Sequence, residues 1–149
     1  MAEEQASQRM TIKASPERCY GISADFECYV EWASDIKEVE IVSRDAQGRA
    51  VRVAFRAAAM GRSTRYILEY DYSVAPEGLS WHLIEGDLES RLDGRLVFDG
   101  CEDGTEVTYH LAVELKVPVP GFLKRRAETR ILDTLDELRV QAESRVKRP

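Results

Sequence analysis

The stretch that most constrains this chain is its last one. From Gly121 to about Val146 the apolar residues Leu123, Ala127, Ile131, Leu135, Leu138, Ala142 and Val146 recur in steps of three or four. That spacing puts them on one face of a helix. At about 1.5 Å per residue such a helix is about 39 Å long, enough to cross a small domain. Its apolar stripe cannot be left in water, so the rest of the chain must supply a surface for it.

The residues before it supply strands. After a first strand at residues 8–14, Ser15 and Pro16 read as the cap and first position of a short helix that runs to about Ala24. Asp25 reads as the cap of a second helix, Phe26 to about Ala33, with Phe26, Tyr29, Val30 and Trp32 as its apolar side. The period then changes from about 3.6 to 2. Val39 and Ile41 alternate with Glu38 and Glu40. Val51, Val53, Phe55, Ala57 and Ala59 share one face of the next strand, and Tyr66, Leu68, Tyr70, Tyr72 and Val74 share one face of another. Trp81 and Leu83, then Leu92, Gly94, Leu96 and Phe98, then Val107, Tyr109, Leu111, Val113 and Leu115 continue the series. Turn residues separate the runs at 45–48, 60–63, 76–78, 85–87 and 102–104. Clean alternation means one buried sheet face and one wet face. The expected architecture is α+β, in a single domain over 1–149. A curved antiparallel sheet of about seven strands wraps the C-terminal helix, with two short helices after strand one.

Composition removes several function classes. The net charge of −6 argues against a broad nucleic-acid surface. DNA is not an expected partner, and RNA or the ribosome is a minority reading. No apolar run approaches a membrane span, and the N-terminus has no signal-peptide core, so the expected location is cytoplasmic, as a monomer or homodimer. Cys19, Cys28 and Cys101 are dispersed and only His82 and His110 could join them. The expectation is free thiols, no metal and no cofactor.

The order strand, two helices, six strands, helix resembles the START-like, helix-grip superfamily. Within it the chain is most similar to the polyketide cyclase/dehydrase and lipid-transport family, which includes the coenzyme Q-binding proteins. Ala14-Ser15-Pro16-Glu17 sits at that family's first helix entry. Asp25 to Trp32 matches its d-x-e-x-y-p-x-W segment, with Val30 where a proline is common. Trp81 to Gly86, Leu92-Asp93-Gly94, Asp103 to Val107 and Pro118 to Leu123 match its central strands, last hairpin and final helix entry. The resemblance implies a fold that hosts carriers, cyclases, stress sensors and co-chaperones, so it does not settle function.

A sheet bent around a helix leaves a gap, and the inward residues are the candidate ligand contacts. They are Trp32, Phe55, Tyr66, Leu68, Tyr70, Trp81, Leu83, Phe98, Tyr109, Leu111, Ile131 and Leu135. They make either an ordinary core or a pocket for a flat, greasy molecule, with tyrosine hydroxyls as donors. The first functional expectation is binding or transport of a small hydrophobic metabolite, such as a lipid, polyketide or quinone-like molecule. The second is a polyketide cyclase/dehydrase-type enzyme. For it the catalytic groups are unknown and the candidates are Glu85, Tyr66 and Tyr109; Glu85 is in phase with Trp81 and Leu83 unless Gly86 permits a bulge. The third is a protein- or ribosome-associated module using Lys124, Arg125, Arg126 and Arg130 on the outer side of the last helix. His82 and His110 fall on the solvent parity.

Overall fold

A computed structural model describes residues 3–59, 62–116 and 126–146. Seven antiparallel strands form one sheet: β1 (Glu3–Ile12), β2 (Ile36–Arg44), β3 (Ala50–Ala59), β4 (Arg62–Asp71), β5 (Gly78–Gly86), β6 (Glu89–Cys101) and β7 (Gly104–Leu115). Their order across the sheet is β1-β7-β6-β5-β4-β3-β2. The meander β2 to β7 is therefore continuous, and β1 closes the far edge against β7. Hydrophobic alternation fixes which face turns inward, because a one-residue slip would expose the whole apolar set.

Two short helices follow β1. Helix α1 (Pro16–Ala24) starts where Ser15 accepts a hydrogen bond from the Arg18 amide at 3.1 Å, with Pro16 in its first turn. The expected second helix is shorter and less regular. It is a 3-10 turn over Phe26–Cys28 followed by α2 (Tyr29–Trp32). Asp25 makes no side-chain capping bond there, and Val30 is 47% exposed rather than part of the buried side. A single turn of helix buries few positions: Phe26 of the 3-10 turn is buried, and Tyr29 and Trp32 are half-buried against the core.

The long helix is α3 (Arg126–Val146), 21 residues. Ile131, Leu135, Leu138 and Ala142 are buried, as the stripe requires. Its expected first turns at 121–125, and the side chains of Leu123, Ala127 and Val146, lie outside the described residues. The helix does not run down the middle of the sheet. It packs chiefly on β1 and β7 and on α1. Arg18 from α1 donates to the Ala142 carbonyl at 3.0 Å, and Glu143 accepts from the Lys13 amide at 3.0 Å. Among the described residues, this offset leaves the concave face of β3, β4 and β5 only partly covered.

Two glycines are set by contact. Gly104 has φ +140°, and a Cβ there would lie 2.2 Å from the Ile12 carbonyl oxygen. Gly94 pairs with Trp81 across β6 and β5, and a Cβ on it would lie 2.3 Å from the Trp81 ring. The indole therefore rests flat on a gap that only glycine leaves.

Candidate functional site

The uncovered part of the concave face holds a partly open cavity of about 90 Å³. Its floor comes from Phe55 on β3, Tyr66, Leu68 and Tyr70 on β4, Trp81 on β5, Leu92 and Leu96 on β6, and Tyr109 and Leu111 on β7. Ser23, Tyr29, Trp32, Ala33, Asp35 and Ile36 form one wall, and Arg130, Asp133, Thr134, Glu137 and Leu138 of α3 form the other. Alternation puts the floor residues there: each is an inward position on its strand.

Rings line most of the space, in a chain of contacts. Tyr29 lies 5.0 Å from Trp32 and 5.9 Å from Phe55, Phe55 lies 5.6 Å from Tyr66, Tyr70 lies 5.6 Å from Trp81, and Trp81 lies 5.8 Å from Tyr109. Phe26 supports them from behind, 4.3 Å from Tyr70. Rigid, flat side chains meeting at tilted angles do not fill a curved space as branched aliphatic chains do.

The phenols differ in their partners. The Tyr29 hydroxyl donates to the Ser23 carbonyl. The Tyr66 hydroxyl accepts from Arg130 Nη2 at 2.9 Å. Tyr70 and Tyr109 make ring contacts, but neither hydroxyl bonds another described residue. Burial raises the pKa of each: well up for Tyr70, and to about 12 for Tyr109, against the opposing pull of Arg130. Burial also raises Tyr66, with the Arg130 charge again opposing it. All three are neutral hydroxyls at ordinary pH and can donate hydrogen bonds.

Of the twelve side chains expected at the gap, Trp32, Phe55, Tyr66, Leu68, Tyr70, Trp81, Tyr109 and Leu111 are brought together around the cavity. The other four are not part of its lining. Ile131, Leu135 and Phe98 are buried in the solid core, and Leu83 packs partly buried against that core. Ile131 and Leu135 sit on the face of α3 turned to β1 and β7, so packing takes them away from the gap.

Two expectations are corrected. Glu85 does not point inward; it is solvent-exposed. Strand β4 pairs Ile67 with Glu85 but Leu68 with Leu83, so Ile84 is an extra residue and the phase breaks before Glu85. This is a β-bulge beside Gly86. Arg130 is not on the outer side of the long helix; it lines the cavity and reaches Tyr66. Lys124 and Arg125, and the Arg126 side chain, lie outside the described residues. Arg130 is also the functional candidate that the apolar stripe concealed. Its signal was the row Arg130, Thr134, Glu137, spaced four and three, which lies beside the stripe and faces the gap.

The histidines fall on the convex face as expected. His82 Nε2 lies 3.8 Å from Glu69. His110 Nδ1 lies 2.8 Å from the Ser7 hydroxyl, and burial, with the Arg95 charge, lowers its pKa. Acids reach the cavity only from α3 and the α2–β2 turn. Asp35 and Asp133 are exposed, and Glu137 is held at the rim by Ser34, whose hydroxyl donates to it at 2.5 Å and whose amide donates at 3.3 Å. A different acid, Glu89, is buried against the Thr64 hydroxyl at 3.1 Å and is not part of the lining.

A curved antiparallel sheet gripping a C-terminal helix, with two small helices behind strand one, is the START-like, helix-grip fold. The sequence profile described as polyketide cyclase/dehydrase and lipid transport matches residues 12–137, and the chain belongs to that family. Among solved structures it is similar to a START superfamily protein from Mycobacterium smegmatis, 27% identical, with 94% of this chain and 97% of that one aligned at a TM-score of 0.87. A protein from Thermus thermophilus is 28% identical, covering 97% and 96%, at 0.74. The ZhuI aromatase/cyclase from Streptomyces sp. R1128 is 14% identical, covering 98% and 97%, at 0.83, a likeness of fold alone. No curated protein sequence matches the chain significantly. Among the described residues, no helix is long and apolar enough to cross a membrane.

Proposed function

We propose that this protein binds a small hydrophobic metabolite, lipid, polyketide or quinone-like, in the cavity between the sheet and α3. The observation that supports this best is the pair of buried phenols, Tyr70 and Tyr109, whose hydroxyls have no partner among the described residues. The rings are buried, but neither oxygen is sealed in the core, so each faces the cavity with its hydrogen-bonding capacity open. A ligand oxygen, or water in its absence, satisfies them, while the rings hold the ligand's apolar body. The same reading puts the protein in the cytoplasm, as a monomer or homodimer.

The cavity is smaller than the roughly 150 Å³ void that admits benzene in an engineered protein core. Seating a whole metabolite therefore requires the walls to give. At the rim, Ser34 of the α2–β2 turn meets Glu137 of α3 only through exposed hydrogen bonds, a join that can give. Burying about 300 Å² of apolar ligand surface gains about 7 kcal/mol. Lost ligand freedom and rim opening offset much of this, so micromolar or weaker affinity is expected for a purely apolar ligand.

Binding without chemistry is the better-supported reading. A cyclase needs a base beside the substrate carbon. The buried phenols are protonated donors, Glu85 is on the wrong side of the bulge, and among the described residues the lining acids are at the rim. Native mass spectrometry of gently purified protein tests the proposal. The expected result is a bound species of a few hundred daltons that denaturation releases and organic extraction identifies. Protein that is purely ligand-free, and that fails to bind cinnamyl alcohol, decanoate or a short-chain quinone below about 1 mM, would contradict it.

A further inference from the structure

The geometry points to an amphipathic ligand whose carboxylate end is seated on Arg130 and Tyr66. This deepens the binding reading above and rests on it. Arg130 projects from α3 across the gap to β4, where Nη2 donates to the Tyr66 hydroxyl at 2.9 Å. That phenol accepts one bond, so its own proton is left to donate. A guanidinium carries five N–H donors in a planar fork, and the only side-chain partner of Arg130 among the described residues is this neutral oxygen. Two donors therefore converge in a cavity otherwise lined by rings and aliphatic side chains, with acids at its rim.

Charge leads to the same place. No carboxylate among the described residues comes within ion-pair distance of Arg130; Asp35 and Glu89 act on it only through space. A partly buried cation without a contact anion is costly to keep, and a carboxylate that forks onto it recovers strong, short hydrogen bonds. A planar two-oxygen group fits one guanidinium plus one phenol. A phosphate, larger and more highly charged, would have to pass the acidic rim of Asp35, Asp133 and Glu137 into about 90 Å³. The rings of Tyr70, Trp81 and Tyr109 then take the apolar remainder.

The test compares trans-cinnamate with cinnamyl alcohol, which share a ring and chain and differ in the charged end, by ligand-observed NMR titration. On the unaltered protein the acid is expected to bind at least about tenfold more tightly than the alcohol. Arg130→Gln should abolish that preference, and Arg130→Lys should keep part of it. Tyr66→Phe, which leaves the cation in place, should shrink it by a smaller factor. Equal binding of acid and alcohol on the unaltered protein, or a preference that survives Arg130→Gln, would overturn the carboxylate assignment and leave the binding function standing. Failure of both molecules to bind would overturn the assignment together with the binding function.

Discussion

The two halves of the concave face are built from the same alternating pattern and reach different ends. On the β1–β7 side, Ile12, Val107, Ile131, Leu135 and Ala142 are all 0% exposed. Branched and small aliphatic residues from sheet and helix form one buried cluster there. On the β3–β5 side the helix is farther away, and the sheet offers Phe55, Tyr66, Tyr70 and Trp81 instead. These rings touch one another, and among the described residues Arg130 reaches across the gap to Tyr66 on β4. One half holds the fold together. The other is the part that the fold can spare for a ligand.

The sharpest way to break that contrast is a truncation in each half. Leu135→Ala should lower unfolding free energy by about 2–5 kcal/mol, read as a drop in the urea midpoint. Tyr70→Phe, which removes only an unpartnered hydroxyl, should leave stability within about 0.5 kcal/mol or raise it. Equal losses would mean the two halves are packed alike. Next in size is Gly94→Ala. Its methyl group would meet the Trp81 ring at 2.3 Å, so the indole must tip into the cavity. A cost of about 1–3 kcal/mol is expected, with a shifted tryptophan emission and weaker binding of cinnamyl alcohol.

Alkali should act on the ring-lined half. Tyr109 ionises near pH 10 when unfolded and is pushed up to about 12 by burial. The folded state thus keeps a proton that the unfolded chain loses. Its stabilising effect is complete below pH 10 and fades as pH rises towards 12. Between about pH 9 and about pH 11.5 the unaltered protein should lose on the order of 2 kcal/mol more than Tyr109→Phe does, measured by urea unfolding at each pH. The smallest effect belongs to the rim. Glu137→Ala should cost less than about 1 kcal/mol, because its bonds to Ser34 are exposed, yet it should speed ligand entry in stopped-flow fluorescence.

Most of the fold was legible because a period of 2 survives almost intact from Val39 to Leu115. The inward parity of Tyr66, Leu68 and Tyr70 follows from it directly. For the candidate site the pattern failed at Ile84, where an inserted position turns Glu85 outward. No residue type announces a bulge; Gly86 only permits one. It also failed at Arg130. Helical spacing tells which residues share a face, but not that α3 leans towards β1 and β7 and turns its next row, Arg130, Thr134 and Glu137, over the gap. That tilt is a property of packing between distant elements. Ile131 and Leu135 were placed at the ligand for the same reason. The aromatic floor was readable residue by residue, while the cation above it was not.

Intermolecular NOEs from bound trans-cinnamate test the central claim most directly. Contacts are expected from the ligand's ring protons to Tyr70, Trp81 and Tyr109, with none to the methyl groups of Ile12 or Val107. Contacts confined to the convex face, around His82 or His110, would place the ligand outside the sheet and contradict it.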